Sequence, residues 1–262
     1  MPFLTIKGVF NPQSGILDGD SVRFLADDDA LFDQLQGRLK FKPNGEVQLR
    51  YEAIDAIEKA ARQPFAANAT KRNLKLLGGN ENGLPGYILS SHTDNNGRPV
   101  CFVFIGDTPN LDGTEIILTP TAVRNSVNYQ LLAEGFVYPL FYDKLYKELR
   151  DEMVTAVEAA REQNLGLWQA DVSNKGFIIQ PPVDLRELSP IFPKLWRRLE
   201  SFYRRLSNQD KTADQFLAFL AQGNDALFTI RDQRYINFSS ALELQGDKIK
   251  LNYKPEQMVF RS

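Results

Sequence analysis

Five charged side chains in the first hundred residues have the types that phosphodiester chemistry requires. They are two aspartates, a glutamate and two arginines, each at the edge of a strand-like segment: Asp20, Asp55, Glu58, Arg50 and Arg98. Aspartates hold hard cations such as calcium, a glutamate can take a proton from water, and guanidinium groups bind phosphate oxygens. In this order the residues predict a calcium-dependent phosphodiesterase site.

Each of these residues has a simpler explanation when it is considered alone. Asp18-Gly19-Asp20 is typical of a turn, Arg50 suits the exposed face of a strand, and Glu58 favours the start of a helix. Gly97-Arg98 fits a turn followed by a solvent-facing arginine. The ordered combination, rather than any single residue, indicates a site.

The composition is that of a soluble globular protein, with 43% hydrophobic and 24% charged residues in a chain of 262. This length suits one large domain or two small ones. The net charge of -2 excludes a global basic field, although it permits a local basic groove. The single histidine, His92, lies in a polar stretch that predicts a loop.

The cellular setting is predicted from the cysteine count and from the apolar runs. Cys101, the single cysteine, excludes an internal disulfide, fits a reducing compartment and lies in a predicted core strand. The N-terminus lacks the pattern of a signal peptide, and no apolar run is long enough to span a membrane. We therefore expect a cytoplasmic protein without a membrane partner.

The first two thirds of the chain predict a mainly β fold with packed helices. Alternating or apolar segments predict five strands, at Leu4–Phe10, Val22–Leu25, Val47–Glu52, Tyr87–Ser90 and Val100–Ile105. Helical spacing predicts three helices, at residues 64–77, about 119–135 and about 143–163. An insertion from Ala26 to Asn44 carries a further short helix near Leu31 to Leu35. Because the strands do not alternate with helices, they predict a five-stranded Greek-key barrel of the OB type.

These segments resemble the staphylococcal nuclease-like (thermonuclease) family over roughly residues 1–170. The carriers are Asp18-Gly19-Asp20-Ser21-Val22-Arg23, Arg50 with Ile54-Asp55-Ala56-Ile57-Glu58, Gly97-Arg98, the stretch from Asn128 to Phe136, and Leu165-Gly166-Leu167-Trp168. The resemblance implies an OB-fold barrel that cleaves DNA and RNA with calcium.

The resemblance also implies a role for each matching residue. Asp20 and Asp55 match the family's calcium-ligating aspartates, and the carbonyl of Ala56 matches its backbone ligand. The family usually has Thr-Pro where this chain has Ala56-Ile57, which affects the turn that aims Glu58 more than it affects calcium ligation.

The remaining family matches concern the substrate. Arg50 and Arg98 match the phosphate-binding arginines, and Glu58 matches the glutamate beside the attacking water. Tyr138 and Tyr142 occur where the family has tyrosines flanking its nucleotide pocket.

The last third predicts a small α+β accessory domain of unknown role, which gives domains 1–173 and 174–262. Gln180-Pro181-Pro182 resembles a linker, and Ser189-Pro190 opens a helix with a buried apolar side. The apolar side of this helix carries Leu195, Leu199, Phe202 and Leu206. Its other side carries Lys194, Arg197, Arg198, Arg204 and Arg205. Those cations are either a solvated helix face or a phosphate-contacting surface.

Three functions remain open from the sequence. The first is a calcium-dependent nuclease acting on DNA, RNA or both. The second is a non-catalytic nucleic-acid or protein-binding module that retains the barrel. The third is an adaptor whose C-terminal domain sets its role.

Overall fold

The computed structural model of the chain describes residues 2–15, 17–61, 64–179, 184–205 and 212–262. The strands in these ranges are β1 Phe3–Phe10, β2 Arg23–Ala26, β3 Val47–Gln48, β4 Arg50–Tyr51, β5 Ile54–Asp55, β6 Leu84–Thr93, β7 Pro99–Ile105, β8 Glu115–Ile116, β9 Tyr138–Pro139, β10 Phe141–Tyr142, β11 Phe177–Ile178, β12 Ala226–Thr229, β13 Arg234–Asn237, β14 Leu242–Gln245, β15 Lys248–Leu251 and β16 Met258–Phe260. The α-helices are α1 Phe65–Leu77, α2 Pro120–Val123, α3 Val127–Ala133, α4 Lys147–Glu162, α5 Pro193–Arg205 and α6 Ala213–Ala221. Single 3-10 turns lie at Asp29–Gln34, Gly166–Gln169, Phe238–Ala241 and Pro255–Gln257.

One sheet in the first half of the chain curls into a nearly closed barrel. Its strands follow the order β3-β2-β1-β6-β7-β4. In addition, β8 pairs with the first residues of β1, whose last residues pair with β2. Residues 47–51 close the barrel, because β3 pairs with β2 at one edge while β4 pairs with β7 at the other. The predicted OB-type barrel with packed helices is therefore confirmed. The predicted strand Val47–Glu52 is broken in two because it serves both edges.

The helices pack on this barrel through buried apolar side chains. The prediction for residues 64–77 is confirmed by α1, whose end is closed by Gly78 at φ 102°. The predicted helix at residues 119–135 is instead two helices. Thr119 caps α2 and Ser126 caps α3, each by accepting the backbone N–H of the residue three positions ahead. The second cap interrupts the helical hydrogen bonding, which the apolar spacing alone did not show.

Two other predictions near the barrel need adjustment. The insertion does contain a short helix, but it is a 3-10 turn that buries Phe32. His92 does not lie in a loop: it is the second-last residue of β6 and is buried. Cys101 is fully buried in β7, as predicted.

The C-terminal part of the chain is a mixture of helices and short strands. The apolar side of α5 is buried at Leu195, Leu199 and Phe202. The predicted linker Gln180–Pro182 and Leu206 lie outside the described residues. The last strand, β16, pairs in parallel with β10 and antiparallel with β12. Because β10 belongs to the first two thirds of the chain, this pairing attaches the C-terminal part to them. The division into domains at residue 173 remains a prediction.

None of the helices in the described ranges combines the length and apolar content needed to cross a membrane.

Candidate functional site

A cavity of about 600 Å³ lies between the barrel and α5. All five charged residues singled out from the sequence line it, together with Ala56 and Tyr142. Its other charged lining residues are Asp18, Lys194, Arg197 and Arg198. The tertiary structure thus brings acids and cations from distant parts of the chain into one concave site.

The turn before β2 places Asp20 at this cavity. The backbone N–H of Asp18 donates to the carbonyl of Ser21 at 3.3 Å, which closes the turn. The N–H of Tyr51 donates to the Asp20 carbonyl at 3.0 Å, so the turn is tied to β4. Gly19 is required here, since a Cβ would lie 2.8 Å from the Cβ atoms of both Ala56 and Ala69.

Asp55 is positioned by β5, which pairs with β9. The strand follows a tight turn in which Ala53 has a φ of 69°, a left-handed conformation that is uncommon for a residue with a Cβ. The buried Asn128 side chain supports this turn by donating to the carbonyls of Glu52 and Cys101 at 2.9 and 3.0 Å. It also accepts the N–H of Val103 at 3.0 Å. The turn that presents Asp55 is therefore fixed by buried hydrogen bonds rather than by proline.

The carboxylates at the cavity lie close enough to repel one another. Burial raises the pKa of Asp20, and the neighbouring charges of Asp55 and Asp18 raise it further, to about 7. The N–H of Ala56 donates to Asp20 at 3.2 Å and partly offsets this effect. The turn thus concentrates negative charge that a cation would stabilise.

The two arginines predicted to bind phosphate share Asp94 as an acidic partner. Arg98 donates to the Asp94 carboxylate at 2.8 Å from Nε, and its Nη2 lies 2.6 Å from the same oxygen. Arg50 is more loosely placed, with a nitrogen 3.7 Å from Asp94, and its guanidinium lies 5.6 Å from the ring centre of Tyr142. Both guanidinium groups remain partly exposed to the cavity.

A third arginine, Arg197, comes from α5 and contacts the acids directly. Its Nη1 donates to Asp55 Oδ1 at 3.0 Å and to Glu58 Oε1 at 2.9 Å, and its Nη2 donates to Asp55 Oδ2 at 2.8 Å. These carboxylates hold the pKa of Arg197 above its usual value despite the cost of burial. From the sequence, Arg197 is predicted only as part of the basic side of a helix. The signal available there was a cluster of cations bordering a strongly apolar helix face.

The acids at the cavity have the chemistry of a cation site, and a cation already lies against them. That cation is the Arg197 guanidinium, which contacts both oxygens of Asp55. Among the described residues, no group of three or more acidic, histidine or cysteine side chains is arranged as a metal site. The Asp20 carboxylate, which Arg197 does not contact, and the Ala56 carbonyl complete an oxygen donor set of the kind that calcium accepts. The residues therefore fit calcium chemically, with the guanidinium standing where a metal would meet Asp55.

The two tyrosines predicted to contact substrate lie in different settings. Tyr142 lines the cavity beside Arg50. Tyr138 is fully buried, and its hydroxyl donates to Asp171 at 2.7 Å. Tyr138 does not line the cavity, and its ring packs edge-on against Trp168 at 5.0 Å. Only Tyr142 is placed to meet a bound ligand.

A second cavity of about 370 Å³ adjoins the first and includes His92. Burial, and then the positive charges of Lys144 and Arg50, lower the pKa of His92 to about 4, while Asp94 opposes this effect. The folded protein therefore favours the neutral imidazole.

This pKa predicts a pH dependence of stability. The unfolded chain binds a proton at His92 near pH 6.5 and the folded chain only near pH 4, so stability is lost as the pH falls through this window. Relative to His92→Gln, we expect the wild type to lose about 1–3 kcal/mol of unfolding free energy between pH 7 and pH 4. Urea unfolding of both proteins across this range measures the difference. Parallel curves for the two proteins would show that the histidine titrates alike in both states.

Comparison with known proteins finds a family match for part of the chain that builds this site. Residues 48–170 match the family model described as staphylococcal nuclease homologue. No curated protein matches the chain significantly. The matched range contains β4, β5, the Asn128 support and α4, but ends before α5 and therefore excludes Arg197. Residues 48–170 are thus similar to the staphylococcal nuclease homologue family.

Proposed function

We propose that the protein is a nuclease that hydrolyses phosphodiester bonds of DNA, RNA or both in the presence of calcium. The observation that carries this proposal is the single cavity lined by Asp20, Asp55, Glu58, Arg50 and Arg98. The family to which residues 48–170 are similar supports a nucleic acid as the substrate.

In this proposal, calcium is held by the carboxylates of Asp20 and Asp55 and by the Ala56 carbonyl. When bound there, calcium would polarise a phosphoryl oxygen and lower the pKa of a bound water. Each protein group then has a separate task. Glu58, which is about one third exposed, orients the attacking water and accepts its proton.

Arg50 and Arg98, which line the same cavity, bind the phosphate. Their N–H groups would donate to the oxygens on which negative charge develops during the reaction. Asp94 holds Arg98 through two side-chain contacts and so limits the directions in which its guanidinium can point. The Tyr142 ring, beside Arg50, offers an apolar surface on which a base can stack.

A second candidate is the non-catalytic binding module, and the observation that favours it is Arg197. Its guanidinium neutralises Asp55 and Glu58, the two acids that turnover requires. A site closed in this way would still present cations to a phosphate.

Cleavage assays on the full chain separate the two candidates. Labelled single-stranded and duplex DNA and RNA are incubated with calcium, with magnesium or with a chelator. We expect cleavage with calcium only, because an irregular set of two carboxylates and a carbonyl suits calcium, whereas magnesium demands near-ideal octahedral geometry. Binding of the same substrates without calcium-dependent cleavage would support the binding module instead.

A further inference from the structure

The Arg197 guanidinium contacts Asp55 and Glu58 through both of its terminal nitrogens. Two of its nitrogens engage both oxygens of Asp55, at 3.0 and 2.8 Å, and one of them also reaches Glu58 at 2.9 Å. Bidentate pairing of a guanidinium with a carboxylate is the strongest form of this contact. Neither Asp55 oxygen is left without an Arg197 contact, so an incoming cation would have to share Asp55 with a positive charge.

The helix that carries Arg197 is anchored by other contacts. Arg198 donates to both oxygens of Asp225 at 2.6 and 2.7 Å, and Lys194 lies 3.3 Å from the same carboxylate. The Lys194 ammonium also lies 4.4 Å from the ring centre of Phe260 in β16. Together with the buried apolar side of α5, these contacts hold the helix in place. The Arg197 side chain can therefore leave Asp55 while α5 stays docked.

The adjoining cavity offers space for the Arg197 side chain when it leaves Asp55. Arg197 is 35% exposed, and it borders a cavity of about 600 Å³. The cavity also holds the phosphate-binding candidates Arg50 and Arg98. An anionic ligand in the cavity would attract the guanidinium away from the acids, whereas an empty cavity leaves the acids as its nearest partners.

We infer that Arg197 competes with the cation for the Asp55 carboxylate, so that the C-terminal part of the chain sets how tightly calcium binds at Asp20, Asp55 and Ala56. This inference rests on the proposed function for the identity of the cation and of its site. The apparent affinity of a ligand falls with the fraction of molecules in the competent state. While Arg197 contacts Asp55, the molecule belongs to the non-competent fraction.

Calorimetric titration of the full chain with calcium, without nucleic acid, tests this inference. Arg197→Met keeps much of the length of the side chain and removes its charge, and we expect calcium to bind about tenfold or more tightly in this variant. Arg197→Lys keeps the charge but loses the fork, so its affinity should lie between those of the wild type and Arg197→Met. Arg204→Met is the matched control, because Arg204 is an exposed arginine of the same helix and pairs with Glu200 rather than with an acid of the cavity.

Thermal unfolding gives a second measurement and checks that each variant folds. Without Arg197, Asp55 and Glu58 lose their partner, so calcium should raise the melting temperature of Arg197→Met more than that of the wild type. Equal, measurable calcium affinity in the wild type and in Arg197→Met would overturn the inference and leave the calcium site intact. Absence of calcium binding in both proteins would overturn the inference and the proposed calcium site together.

Discussion

Replacing Glu58 by glutamine is expected to lower the rate of phosphodiester cleavage by about 10²–10⁴-fold, the range typical of a lost general base. Glutamine keeps the shape of the side chain and can still accept a hydrogen bond from Arg197, but it cannot take a proton from water. The loss should therefore appear in the chemical step. Folding should change little, because the Glu58 side chain is about one third exposed.

Single-turnover rates at saturating calcium measure this effect. Saturation matters because the substitution also weakens the hold of the acids on Arg197 and could change the affinity for calcium. Glu158→Gln is the matched control, since Glu158 is exposed on α4. Equal rates for Glu58→Gln and the wild type would leave a nuclease that works by another mechanism.

Replacing Arg50 by alanine is expected to lower kcat/KM by about 10²–10³-fold, as for the loss of a donor to a developing oxyanion. Arg50 lies on β4, at the edge where the barrel closes, and its guanidinium points into the cavity beside Tyr142. Arg50→Lys should recover only part of the rate, because an ammonium supplies charge without the paired N–H geometry.

The same cleavage assay, run with each substrate class, measures the Arg50 variants. Arg124→Ala is the matched control, because Arg124 lies at the end of α2, is largely exposed and pairs with Glu152. If Arg50→Ala keeps the wild-type kcat/KM, the arginine is structural and the phosphate must be held by other cations of the cavity. Arg98 and Arg197 would then be the next residues to test.

The two large effects and the calcium titration address different parts of one site. Glu58 and Arg50 report on the chemical step, whereas the Arg197 variants report on metal binding without substrate. A protein with Arg197-dependent calcium affinity but no cleavage would be a metal-regulated binding module. A protein with cleavage and no effect at Arg197 would be a nuclease whose C-terminal part serves another purpose.

The barrel was predictable because its signals are local. Alternating side chains over β1 and β2, an apolar run at β7 and the glycine that ends α1 each follow from the period and turn chemistry of their own segment. The five charged residues were also recognisable, since each lies at the edge of such a segment. The prediction of one continuous helix at residues 119–135 was wrong, because the Ser126 cap divides an otherwise continuous apolar spacing.

The sequence by itself determined the barrel, the family resemblance of its first two thirds and the set of acids and arginines that could act on a phosphate. Only the tertiary structure decided that Tyr138 is buried against Asp171 and that Arg197 lies on Asp55 and Glu58. The physical reason is the separation along the chain, because Arg197 comes 142 positions after Asp55. A basic helix side has the same sequence pattern whether it faces solvent or carboxylates. Which of the two it contacts depends on how β16 and α5 pack against the barrel.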